Sequence, residues 1–237
     1  MSGITIEGTY NARWAASTAE SPRWLARAAA LDSIGDTGAA QLAELGIARV
    51  LDLREDGERA ALKRSTPTHD VEVAHVALYR LPEGPPATGS LEQVYEFLLV
   101  HRAKELTEAV AAIADSHGPV LVHCTAGKDR TGLVIALALL ASGHEEADVV
   151  ADYALSAGVV RAARLDIAES TLNALGLDTD AHAAALRLHL DSPAEAMHHA
   201  LRTITALGGA EAFLIRNGLH AEQLQSLRRA AGGPGDD

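Results

Sequence analysis

Apolar residues recur along this chain with two different periods, and the change from one to the other divides it. In the first half, short apolar runs alternate with helix-like stretches. "IARVLDL" (Ile47–Leu53) reads as a strand, preceded by a helix, "DTGAAQLAELG", that opens at Asp36 and closes on Gly46. "VEVAHVAL" (Val71–Leu78) alternates as a strand, whereas "YRLPEGPPATG" carries three prolines and must be a loop. Ser90 and Gln93 have the spacing of a capping box for a helix running to about Ser116. "PVLVH" (Pro119–His123) is continuously apolar, as a buried central strand should be. From Arg130 onward, helix formers dominate. Six segments between residues 145 and 231 each suit a helix, and Ser192-Pro193-Ala194-Glu195 has the pattern of a second capping box with proline at the first helical position. Strands early and helices late predict an α/β fold: a central sheet flanked by helices, with a mostly helical C-terminal half. With no repeat and no low-complexity linker, residues 1–230 are expected to form one domain. Residues 231–237, ending in "GGPGDD", are expected to fray.

Composition narrows the function. The 237 residues carry a formal net charge of −12, which argues against nucleic acid or an anionic membrane as the main partner. Aromatic residues are only 3%, too few for a base-stacking surface. The start, "MSGITIEGTY", lacks a basic region followed by an apolar one, and the apolar run after Arg130 is too short to span a bilayer. No integral membrane association is expected. A single cysteine, Cys124, cannot form an internal disulfide and suits a reducing, cytoplasmic setting.

That cysteine lies in "HCTAGKDRTG", between the strand ending at His123 and the helix starting near Arg130. A strand end delivers Cys124 to the carboxyl edge of the sheet, where open α/β folds bind ligands. Gly127 lets the backbone curl, so that the amides of Thr125, Ala126, Gly127 and Lys128 converge with the helix N-terminus on an anion. The same field favours a thiolate. Arg130 has the reach to clasp two phosphate oxygens, and Thr131 brings a hydroxyl towards the sulfur. Lys128 is expected to face the substrate. A thiolate at the base of a phosphate cradle implies phosphoryl transfer through a cysteinyl-phosphate, followed by hydrolysis. Two acids compete to protonate the leaving oxygen. Asp129 lies in the loop, with helix capping as its alternative role. Asp52 lies at the end of a strand expected to neighbour that of Cys124, with an ion pair to Arg54 as its alternative. His123 is expected to order the loop without acting as a base. No histidine cluster has metal-ligand spacing, so neither metal nor cofactor is expected.

"HCTAGKDRTG" resembles the cysteine-phosphatase signature His-Cys-five residues-Arg-Ser/Thr-Gly, in a form similar to the bacterial branch of the protein-tyrosine phosphatase superfamily. "LARAAALDSIGDTGAAQLAELGIARVLDLREDGERA", with its Asp52-Leu53-Arg54, resembles the region around that branch's Asp-Leu-Arg motif. "ADYALS" (Ala151–Ser156) and "GGAEAFLIRNGLHAEQLQSLRRA" are also similar to it. The resemblance implies a tyrosine-phosphatase-like sheet flanked by helices and an acid carried within the signature loop. Two features depart from the pattern. "NARWAAST" (Asn11–Thr18) keeps Asn11 and Arg13 of the usual substrate-facing Asn-Phe-Arg-Asp-Leu-Gly-Gly stretch but loses the rest, and no Trp-Pro-Asp acid loop occurs. Phosphotyrosine proteins are the substrate the resemblance implies. Phosphoinositides, encouraged by Lys128, and phosphorylated small metabolites are the alternatives. A silent phosphate-reading module would not need the thiol, and a sulfurtransferase fits the Arg130 and Thr131 offsets less well.

Overall fold

The structure, a computed structural model, describes residues 3–16, 21–60, 71–81 and 84–232. Pro82 and Glu83 of the proline-rich loop, and the expected tail from residue 233 onward, lie outside the described residues. The elements are β1 (Arg13–Trp14), β2 (Leu25–Ala28), α1 (Asp36–Glu44), β3 (Arg49–Asp52), α2 (Asp56–Ala60), β4 (Glu72–His75), α3 (Leu91–His101), α4 (Ala103–Ala114) and β5 (Val120–His123). Seven helices follow: α5 (Asp129–Ala141), α6 (Glu146–Ala154), α7 (Ser156–Asn173), α8 (Thr179–Leu190), α9 (Ala194–Ala206), α10 (Ala210–Arg216) and α11 (Ala221–Ala230).

The sheet runs β1-β2-β5-β3-β4, parallel except for β1. Side chains alternate across it. Leu25, Leu51, Val120 and Val122 enter the larger core, shared with Leu98, Val110, Leu137 and the late helices. Ala26, Ala28, Val50 and Leu121 face the other way, onto Leu42 of α1 and Ile34. β5 is buried along its whole length, as its apolar run demands. In register, Asp52 pairs with His123, so the two strands carrying the candidate residues are neighbours.

Three expectations change, and one strand had none. The strand over residues 71–78 shrinks to Glu72–His75. β2 was not legible, because "LARA" has strand geometry only through its pairing with β1 and β5. The capping box of Ser90 and Gln93 forms, but the helix it starts breaks at Arg102 (φ −129°, ψ 28°). No glycine or proline marks that break. Arg102 leaves the helical line to donate from Nε to the Tyr79 carbonyl at 2.6 Å and to stack on Phe97. Ser192 does not cap α9: the N-cap is Pro193, and the Ser192 hydroxyl is buried without a partner among the described residues.

Candidate active site

β5 ends at His123 and α5 begins at Asp129, so residues 124–128 form a loop at the carboxyl edge of the sheet. Gly127 adopts φ +64°, and its backbone passes so close to β2 that a Cβ there would stand 2.1 Å from the Ala28 carbonyl oxygen. The loop's carbonyls point outward and are held. Asn11 Nδ2 donates to the Ala126 and Gly127 oxygens at 3.2 and 3.0 Å, and Arg27 Nη2 donates to those of Gly127 and Lys128 at 2.7 and 3.2 Å. Among the described residues, no backbone or side-chain acceptor takes the amide N–H of Thr125, Ala126, Gly127 or Lys128. Outward carbonyls and amides without acceptors are the two faces of a curl with the form of an anion site.

The buttress behind that curl was not read from sequence. Arg27 is fully buried and pairs with Asp152 at 2.5 Å. Arg13 Nε reaches the other oxygen of Asp152 at 2.9 Å, and its remaining nitrogens donate to Asn11 and Ser156. Burial opposes charge on Asp152, but the two arginines outweigh it and hold its carboxyl below the usual range. Asn11 therefore grips the outer side of the loop and Arg13 holds Asn11 in place, so the two residues kept from the substrate-facing stretch act here as a brace behind the loop. The signal was present in "ADYALS", which contributes both Asp152 and Ser156.

A cavity of about 160 Å³ opens over the loop. Cys124, Thr125, Ala126, Asp129 and Arg130 line its floor, and Tyr79, Pro85, Pro86, Arg164, Leu188 and His189 line its walls. Arg130 is held by a residue that was not anticipated. Glu58 of α2 receives Nη1 at 2.5 Å and Nη2 at 2.8 Å, and also accepts the Thr125 hydroxyl. Burial would raise the Glu58 carboxyl, but Arg130 pulls it below the ordinary range. The guanidinium lies 5.2 Å from the Tyr79 ring centre. Glu58 takes the terminal fork, Nη1 also reaches the Leu53 carbonyl at 3.4 Å and Nη2 the Thr125 hydroxyl at 3.3 Å, so the donor left without an acceptor among the described residues is Nε.

The remaining predicted residues divide. Asp129 lines the cavity and accepts a hydrogen bond from Tyr95 at 2.7 Å. Lys128 does not face the cavity, which corrects its expected role. It is fully buried, and its ammonium donates to the carbonyls of Leu188 and Asp191 at 2.8 and 2.6 Å, at the C-terminal end of α8. Desolvation lowers its pKa against the pull of the Asp129 carboxylate 3.3 Å away, and the two carbonyls complete the ammonium's partners. Thr131 is buried with its hydroxyl unpaired among the described residues. Asp52 lies beneath the site. It is gripped by the Arg54 guanidinium (Oδ2 to Nη2 2.8 Å) and backbone amide, with His123 3.8 Å away. Burial disfavours its charge, but these partners win and hold it at about 2. Larger cavities of 730 and 650 Å³ open elsewhere and contain neither the thiol nor Arg130.

A cysteine under unclaimed amides at the carboxyl edge of a parallel sheet, with an arginine six residues on, defines a cysteine-dependent phosphatase. The chain belongs to the tyrosine phosphatase family, whose profile matches residues 4–231. It is 29% identical over 229 residues to a tyrosine-protein phosphatase of Nostoc commune, covering 88% of this chain and 74% of that one. It is also 29% identical over 200 residues to the triple specificity protein phosphatase PtpB of Mycobacterium tuberculosis, covering 69% and 72%. The crystal structure of TpbA from P. aeruginosa is similar at 21% identity and a TM-score of 0.38, over 64% of this chain and 76% of that one. Among the described residues, no helix is long and apolar enough to cross a membrane.

Gly127→Ala should lower the melting temperature by several degrees and aryl phosphate turnover by about tenfold or more, because both the positive φ and the approach to Ala28 forbid a side chain. Calorimetry and a chromogenic assay check it, and a variant within twofold of the parent on both would refute the tight curl.

Proposed function

We propose that this chain hydrolyses phosphotyrosine in proteins through a cysteinyl-phosphate on Cys124, without a metal ion. The observation that carries this reading is the set of four amides, Thr125 to Lys128, left without acceptors among the described residues in the loop that follows the thiol, with Arg130 on the floor of the same cavity. In this reading the Cys124 sulfur attacks phosphorus while Arg130 and the amides neutralise the equatorial oxygens, the work a metal does elsewhere. Asp129, the cavity-lining acid, protonates the departing oxygen and then activates water. Asp52 holds Arg54 and the strand end, and Glu58 fixes the plane of Arg130.

An aromatic phosphomonoester suits walls made by Tyr79, Pro85, Pro86 and Leu188, and both curated relatives are named as protein phosphatases. Phosphoinositides lose their main support, because the ammonium of Lys128 is committed to α8. A small phosphorylated metabolite remains the second reading, favoured by Arg164 and His189 at the mouth. A single catalytic unit over residues 1–230 and a reducing, cytoplasmic setting for the thiol complete the proposal.

The test is a substrate panel with acid-quench trapping. A phosphotyrosine peptide should give the highest kcat/KM, above a phosphoserine peptide, a phosphoinositide and a sugar phosphate. Label from the peptide should be trapped on Cys124, in chelator as in buffer. Activity that disappears in chelator and returns with added metal, with no trapped phosphoenzyme, would refute it.

A further inference from the structure

Asp129 does not stand alone. Its Oδ1 accepts from the Tyr95 hydroxyl at 2.7 Å, and the Tyr95 hydroxyl in turn lies 2.6 Å from that of Tyr153. Lys128 Nζ approaches the same Oδ1 at 3.3 Å. Both tyrosines are buried, and their rings meet edge to face at 6.1 Å and 84°. Burial raises the pKa of each hydroxyl above the ordinary tyrosine value, and the nearby Asp129 charge adds to it, so both keep their protons.

The proton count in this row is closed. An ionised carboxylate can only accept, so Tyr95 spends its single proton on Oδ1. The Tyr153 proton then goes to the Tyr95 oxygen, its only partner among the described residues. When Asp129 takes up a proton, Oδ1 is still facing a donor. The proton is therefore placed on Oδ2, the oxygen free of the relay, on a residue that lines the cavity.

We propose that Tyr95, backed by Tyr153, is a positioning residue that directs the catalytic proton of Asp129 to Oδ2. This rests on Asp129 being the acid. In the step it serves, the Sγ–P bond forms and the P–O bond to the leaving group breaks. The electron pair of the broken bond goes to the departing oxygen, which takes the proton from Oδ2. Removing the Tyr95 hydroxyl takes away the short 2.7 Å donor and leaves Oδ1 only the longer 3.3 Å contact from Lys128 Nζ, so the carboxyl group is freer to rotate and its proton is less strictly confined to Oδ2. A leaving group that needs the proton then suffers, and one that departs as a stable anion does not.

The experiment is a double-mutant cycle between Tyr95→Phe and Asp129→Asn, read with tyrosine phosphate and with nitrophenyl phosphate. Tyr95→Phe should lower kcat on tyrosine phosphate by roughly tenfold, leave KM within about twofold and barely change nitrophenyl phosphate turnover. Added to Asp129→Asn, it should cause no further loss. Tyr153→Phe, whose ring also stays, should act in the same direction with a smaller effect. A Tyr95→Phe variant that lowers both substrates equally, or whose loss adds in full to that of Asp129→Asn, would overturn the relay. An Asp129→Asn variant blind to the leaving group would instead remove the acid assignment on which the relay depends.

Discussion

Cys124→Ser should reduce turnover of an aryl phosphate by a thousandfold or more, on the order seen when a nucleophile is removed, while inorganic phosphate still binds. The two halves of this expectation come from different parts of the site. Turnover needs a sulfur anion, and a serine hydroxyl at the same place stays protonated at neutral pH. Anion binding needs the amides of Thr125 to Lys128 and the Nε of Arg130, none of which the substitution touches. Exchanging one chalcogen for another, lighter by one shell, also leaves the buttress of Asn11, Arg27 and Asp152 intact. Calorimetric titration with phosphate, or the rise in melting temperature that a bound ligand produces, reads the second half. Residual turnover within tenfold of the parent would sink covalent catalysis by Cys124. Lost phosphate binding would instead mean that the thiol, and not the curl, holds the anion.

The second large effect separates the two acids. Asp129→Asn should slow hydrolysis of tyrosine phosphate by about a hundredfold, in the range general acid catalysis contributes. Nitrophenyl phosphate, whose leaving group departs without a proton, should lose less than about fivefold. Asp52→Asn should lower both substrates by the same factor, because a residue that only holds Arg54 is blind to the leaving group. Its clearer mark is on stability. The Asp52 carboxyl is held at about 2 when folded against 3.8 when unperturbed. A depressed folded value means that Asp52 stabilises the fold fully above the unperturbed value and loses that contribution as pH falls towards 2. At neutral pH the parent should therefore melt higher than Asp52→Asn, and the gap should narrow through that acid window. If Asp52→Asn carries the leaving-group dependence and Asp129→Asn does not, the roles are exchanged.

The chemistry was legible because it is local. Cys124, Gly127, Arg130 and Thr131 are fixed by offsets within eight residues, and a strand–turn–helix makes those offsets into a site wherever the fold lies. The candidate acid at the end of the loop, which the structure makes the first residue of α5, and the strand pairing that brings Asp52 beside His123 follow from the same kind of reasoning. Lys128 shows its limit. The spacing put its Cα on the loop but said nothing about χ angles, and a long flexible side chain goes where its charge finds partners, here the carbonyl end of α8 sixty residues on.

From the sequence alone come the class of fold, the helical second half, the candidate nucleophile and the candidate anion-binding curl. Each depends on periodicity, or on groups a few bonds apart. The folded chain adds that Glu58 holds Arg130, that Asn11, Arg13, Arg27 and Asp152 brace the loop from outside, that Tyr95, backed by Tyr153, reaches Asp129, and that "LARA" is a strand. These contacts join residues tens of positions apart. They arise because a buried charge or hydroxyl must find a partner wherever packing brings one near. No local pattern encodes which partner that will be, so the partner becomes visible only when the sheet is closed and the helices are laid against it.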